Sequence, residues 1–132
     1  MTNKIICTTD FSDSSKGALR WSVEWAKKTN CRLIVLYTYR LIKQGMEPTV
    51  NKRRMEEEAS QNMTKLENEL LINSGIDYDV KIEVGFVEDR IEEHLKTNQI
   101  SFLVMGKEMS LRNKEMFDDL LRKLQVPLVI IP

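Results

Sequence analysis

The sequence predicts a doubly wound parallel α/β fold. It consists of a single five-stranded, Rossmann-like sheet of strand order 3-2-1-4-5, flanked by four helices in one domain over residues 1–132. Three observations predict it. Five short apolar segments alternate strictly with four helix-like ones, and strand–helix–strand units have right-handed crossovers that make the sheet parallel. Residues Arg32 to Tyr39 are apolar almost without interruption, the mark of a strand covered on both faces. Residues Tyr78 to Gly85 alternate apolar and polar, which suits an edge strand with one wetter face.

The first strand is Lys4 to Thr9, apolar and β-branched. Asp10 to Ser15 then start a helix. The Ser12 hydroxyl can accept from first-turn amides, and Asp13 suits the positive end of the helix dipole. This helix runs to about Thr29, with Ala18, Leu19, Ser22, Val23 and Ala26 on the face that packs on the sheet. Trp21 and Trp25, one turn apart, read as packing at the rim of the core. After the second strand a break falls at Gln44 to Pro48. Met55, Ala59, Met63, Leu66 and Leu70 then form the apolar stripe of a long helix. Lys52-Arg53-Arg54 abuts Glu56-Glu57-Glu58 and reads as a solvated face. Gly75 is placed as the left-handed cap of this helix.

A short helix follows the third strand, with Val87, Ile91, His94 and Leu95 on one face to about Asn98. Phe102 to Met105 form the fourth strand, ending at Gly106. A polar loop leads to a last helix with Phe117, Leu120, Leu121 and Leu124 on its apolar face, and Val126 to Ile131 is the fifth strand. In this topology the turns after Thr9 and Met105 face each other at the switch point, where open α/β sheets bind ligands.

Twenty basic residues balance twenty acidic ones, and there is no nucleic-acid recognition motif, so no nucleic-acid partner is expected. No apolar run reaches membrane-spanning length, and the amino terminus is unlike a signal peptide; a cytoplasmic protein is expected. Cys7 and Cys31 form no CxxC pair and read as reduced thiols. His94, the only histidine, has no metal-ligand spacing to Cys, Asp or another His and reads as structural. No catalytic or metal-binding constellation is visible. The last strand, Val126, Leu128, Val129, Ile130 and Ile131, is an apolar edge that a soluble protein must cover, and a second copy would do so.

Residues 5–12, Ile-Ile-Cys-Thr-Thr-Asp-Phe-Ser, followed by Ala18-Leu19 and Ala26, resemble the opening of the universal stress protein family. Cys31 to Tyr39, Val84-Gly85 with Ile91, Leu103 to Gly106 and Val126 to Ile130 continue in that family's order, so the resemblance covers the whole chain. It implies an adenine nucleotide alpha hydrolase-like fold and a homodimer whose last strands pair antiparallel across a two-fold. ATP-binding members carry G-x-x-G, nine residues, then G-[S/T] after the fourth strand. Here Gly106 matches the first glycine, Met109 stands at the second, and no glycine follows Gly106. The segment up to Pro127 also looks several residues shorter than in those members. The resemblance further places Asp10 at the base and ribose pocket. Tyr37 stands where a second-strand residue lines the adenine, and its bulk could fill that slot. The expectation is a homodimeric regulatory protein without a cofactor; the alternative is an adenine-nucleotide binder using Asp10, Tyr37 and Gly106.

Overall fold

The computed structural model describes residues 3–41 and 48–132. The elements run β1 (Lys4–Thr8), α1 (Asp13–Thr29), β2 (Arg32–Tyr39), α2 (Pro48–Leu66), a π-helical turn (Glu67–Leu71), β3 (Tyr78–Val84), α3 (Val87–Thr97), β4 (Ile100–Gly106), α4 (Lys107–Arg112), α5 (Lys114–Lys123) and β5 (Leu128–Ile131). The sheet order is β3-β2-β1-β4-β5, and every pairing is parallel, as the sequence predicts. Of the predicted break after β2, Gln44 to Glu47 lie outside the described residues, and Pro48 opens α2.

Strand alternation sorts the core into two layers. Ile5 and Cys7 of β1, Leu33 and Val35 of β2 and Val104 of β4 face α1 and α2. Ile6, Ile34, Leu36, Leu103 and Met105 face the other way, against Ile91 of α3 and Leu120 of α5. Helix α1 starts where its cap predicts: the Ser12 hydroxyl accepts from the Ser15 amide, and Ala18, Leu19, Ser22, Val23 and Ala26 are buried. Trp21 and Trp25 stack at 5.7 Å and meet Phe102 of β4 edge-on.

Four details correct the sequence reading. The α2 stripe predicts Leu70 as its last core residue, yet Leu71 is buried and Leu70 only half-buried. A π turn, marked by the Ile72 amide donating to the Glu67 carbonyl at 2.8 Å, adds one residue and rotates the apolar face accordingly. The helix therefore ends at Ile72 in right-handed conformation, and Gly75, at φ +80°, belongs to the turn beyond it. Between β4 and β5, where the sequence predicts a polar loop and one helix, there are two helices, α4 and α5. Asn113 takes an extended conformation and its side chain accepts from the Met116 amide at 3.0 Å, ending α4 and capping α5. Two consequences follow: the predicted polar loop after Gly106 is the helix α4, and Leu121 is half-exposed, on the flank of α5 opposite the one whose Lys123 reaches Glu92 of α3. Finally, β5 begins at Leu128, leaving Val126 in a bend before it.

Cys7 is fully buried and burial pushes its thiol up to about 12, with a bond to Ser22 opposing the shift in part; Cys31 is half-buried. A thiol that is both inaccessible and protonated is inert. We expect Ellman's reagent at pH 8 to titrate only Cys31 in the native protein and both thiols in denaturant. Fast reaction of both in the native state would contradict this burial.

Candidate functional site

The carboxyl ends of the strands open into a cleft of about 340 Å³. Thr9, Asp10, Tyr37, Thr38 and Tyr39 line it from β1 and β2, and Gly85, Phe86 and Glu88 line it from the β3–α3 turn. Met109, Arg112, Asn113 and Met116 close it from α4 and α5. Its size falls in the range of small-molecule sites. Among the described residues there is no group of three or more His, Cys, Asp or Glu able to hold a metal ion.

Asp10 is fixed by the turn it starts. Its Oδ1 accepts from the Ser12 amide at 3.0 Å and from the Ser12 hydroxyl. Its own amide donates to Ser15 Oγ at 3.3 Å, and Ser15 Oγ in turn lies 3.1 Å from Thr9 Oγ1. The turn holds Phe11 at φ +66°, a left-handed conformation uncommon for a side chain of that bulk. This aims the Phe11 ring at Tyr37, centroid to centroid 4.5 Å. Asp10 Oδ2 takes no bond from its own turn. It faces Arg112 Nη1 at 2.7 Å, so an ion pair joins β1 to the end of α4. Burial alone would raise the Asp10 pKa; the Ser12 and Ser15 bonds and the Arg112 charge outweigh it and hold the carboxyl below its ordinary value.

Gly106 does a different job from the one the motif comparison gives it. It does not line the cleft, and its backbone is ordinary extended chain at φ −72°. A Cβ there would lie 3.0 Å from Ser14 Oγ and 3.1 Å from the Ser14 carbonyl oxygen, so its lack of a side chain lets β4 abut the first turn of α1. Helix α4 begins at the next residue, and the Glu108 amide already donates to Ser14 Oγ at 3.4 Å. Where a phosphate cradle needs an open loop of free amides, this chain has a helical turn bonded to α1.

At the other rim, Gly85 sits at φ +133°, a conformation open to glycine, and turns the chain so that Phe86 stands half-exposed at the cleft mouth. The Arg40 guanidinium stacks 4.7 Å over its ring. Glu88 keeps one carboxylate oxygen, Oε2, buried with no hydrogen-bond partner. His94 is not among the lining residues; its Nε2 lies 2.9 Å from Glu83 Oε1, an oxygen shared with Arg90. The sequence reading named Asp10 and Tyr37, which the structure brings together. It took Arg112 only as a charge that, with Lys107 and Lys114, offsets the acidic residues near the turn after Met105, and assigned no role to Ser14, Arg40 or Phe86. Only Asn113 signalled the place of Arg112, since a capping residue directly after it marks the end of a helix.

The geometry defines a class: a doubly wound α/β domain with a ligand-sized cleft at its switch point. The chain belongs to the universal stress protein family, whose model matches residues 1–132. Among solved structures it is similar to a universal stress family protein from Burkholderia pseudomallei, at 21% identity and a TM-score of 0.79 over 98% of this chain and 95% of that one. It is also similar to UspA from Lactobacillus plantarum, at 18% identity and 0.76 over 99% and 97%. A third likeness is an Arabidopsis thaliana family member with AMP bound, at 19% identity and 0.68 over 98% and 90%. These likenesses show the fold. A search of curated proteins returns no match.

Proposed function

We propose that this chain is a cytoplasmic, non-catalytic regulatory protein of the universal stress type, working as a homodimer and unable to grip the triphosphate of ATP. One observation carries the reading. Helix α4 starts directly after Gly106 and commits the Glu108 amide to Ser14, where a triphosphate would need free backbone donors. Titration calorimetry with magnesium-ATP is expected to give no binding in the low-micromolar range; a low-micromolar dissociation constant would overturn the reading.

The dimer rests on β5. Its four residues are half-buried and pair only with β4. The Leu103 amide donates to the Pro127 carbonyl, so in a parallel ladder the polar groups of Leu128 and Ile130 point to the open edge. Leu128, Val129, Ile130 and Ile131 would pair with a second copy, and Val126, in the bend before the strand, would flank the seam. Sedimentation equilibrium is expected to give a dimer, and Ile130→Pro, which removes an outward donor, a folded monomer. A dimer of unchanged strength in that variant would refute pairing through this edge.

A second reading, adenine-nucleotide binding, is favoured by the open cleft beside Asp10 and Tyr37. The residues fit a nucleoside better than a triphosphate. Aromatic walls and the carboxylates of Asp10 and Glu88 suit a base and its sugar hydroxyls, and nothing replaces the amide cradle. The similar Arabidopsis protein carries AMP, a ligand with one phosphate.

A further inference from the structure

We propose that Arg112 is the anion anchor of the cleft and that its bond to Asp10 is the closed state of that anchor, making the cleft selective for a nucleoside bearing a single phosphate. This deepens the nucleotide reading and rests on it.

Three observations carry it. First, Arg112 lines the cleft from the last residue of α4, and among the described residues it pairs with Asp10 alone, 2.7 Å away. Its side chain is largely exposed, at 62%, while that of Asp10 is 13% exposed. The carboxylate is held by its turn, and the guanidinium is the less buried and less tethered partner. Second, among the described residues Asp10 Oδ2 is held by that pair alone, and Glu88 Oε2 has no donor. Asp10 and Glu88 both line the cleft, and each keeps one carboxylate oxygen buried at its wall, one paired with Arg112 and one unsatisfied. A buried acceptor without a donor is costly, and hydroxyl or amino groups of a ligand would relieve both. Third, after Gly106 the chain enters a helix at once and the Glu108 amide donates to Ser14 Oγ at 3.4 Å, so that amide is not offered to an anion. A guanidinium binds a phosphate through paired N–H groups, and one such fork matches one phosphate.

The exchange adds net negative charge to the cleft, since a phosphate monoester carries about −1.5 to −2 and Arg112 supplies one positive charge, so it depends on ligand donors reaching Asp10. In the closed state Arg112 neutralises Asp10. When ligand enters, its phosphate takes Arg112 and its neutral donors take Asp10, so no buried carboxylate is left bare. Adenosine supplies the donors without the anion and has to break the ion pair with nothing to offer the arginine. ATP offers more negative charge than one arginine can match.

The test is calorimetric affinity for AMP, adenosine and ATP with wild-type protein, Arg112→Ala, Arg112→Lys and Lys114→Ala. The last removes an exposed cation two residues away and serves as the control. Wild type is expected to bind AMP at least about tenfold tighter than adenosine, the effect of one charge-assisted contact. Arg112→Ala is expected to abolish that preference while leaving adenosine affinity equal or improved, since Asp10 is unmasked. Arg112→Lys should retain part of the preference, and Lys114→Ala all of it. Equal loss of AMP and adenosine binding in Arg112→Ala would mean a merely structural arginine and overturn the proposal. Adenosine binding without any AMP preference in wild type would also overturn it, while the nucleotide reading survived. If none of the three ligands binds at millimolar concentration, both fall.

Discussion

Leu71→Ala is expected to destabilise the protein by about 2–5 kcal/mol, the cost of truncating a fully buried leucine, whereas Leu70→Ala should cost no more than about half of that. The two residues are neighbours and chemically identical, so the difference isolates the π turn. In a regular helix Leu70 would follow Leu66 into the core; with the Ile72 amide bonded to the Glu67 carbonyl, Leu71 takes that place at 1% exposure and packs with Met63, Leu66 and Val35. Urea unfolding followed by circular dichroism measures both. Equal losses, or a larger loss at Leu70, would show that the helix continues without the extra residue.

Gly106→Val is expected to cost about 1–3 kcal/mol or more through overpacking, although glycine-to-larger changes in extended backbone ordinarily stabilise a strand. The sign is decided by Ser14. Its carbonyl carbon and oxygen stand 3.2 and 3.1 Å from the position of a Cβ, and as atoms of the first turn of α1 they cannot retreat without unseating the helix. Adding Ser14→Ala should not rescue the variant, because only the hydroxyl contact is removed. A rescue of most of the lost stability in the double variant would locate the crowding in the side chain and contradict this account. The expected loss appears in the absence of any ligand, which separates a packing glycine from a phosphate-binding one.

These two residues also mark where the sequence was legible and where it was not. The strand order was legible because burial writes itself into composition: Leu33 to Leu36, covered on both faces, read as an interior strand, and the alternation from Tyr78 to Val84 read as an edge. The first turn of α1 was legible because the Ser12 cap is a local device. The π turn was not, since the stripe of Met63, Leu66 and Leu70 has the same spacing whether or not one residue is inserted after it. The role of Gly106 was misplaced for a related reason. A motif position says that a side chain is unwelcome there, but the atom that excludes it, the Ser14 carbonyl, lies 92 positions away in the chain and is visible only in three dimensions. The pairing of Arg112 was missed because its partner, Asp10, belongs to the opposite end of the sequence.

The contact between Ser14 and Gly106 has a consequence for how the cleft can work. It ties the turn after β1 to the turn after β4, the two walls whose parting would widen the opening, and the Glu108 amide bonds to the same serine. Widening the opening on that side would have to break the Glu108–Ser14 bond and part the packing of Gly106 on Ser14. The side chains at the rims are less constrained: Arg112 is largely exposed, and Arg40 lies over the half-exposed Phe86. A receptacle so built would discriminate by the dimensions of what arrives, as a gauge does.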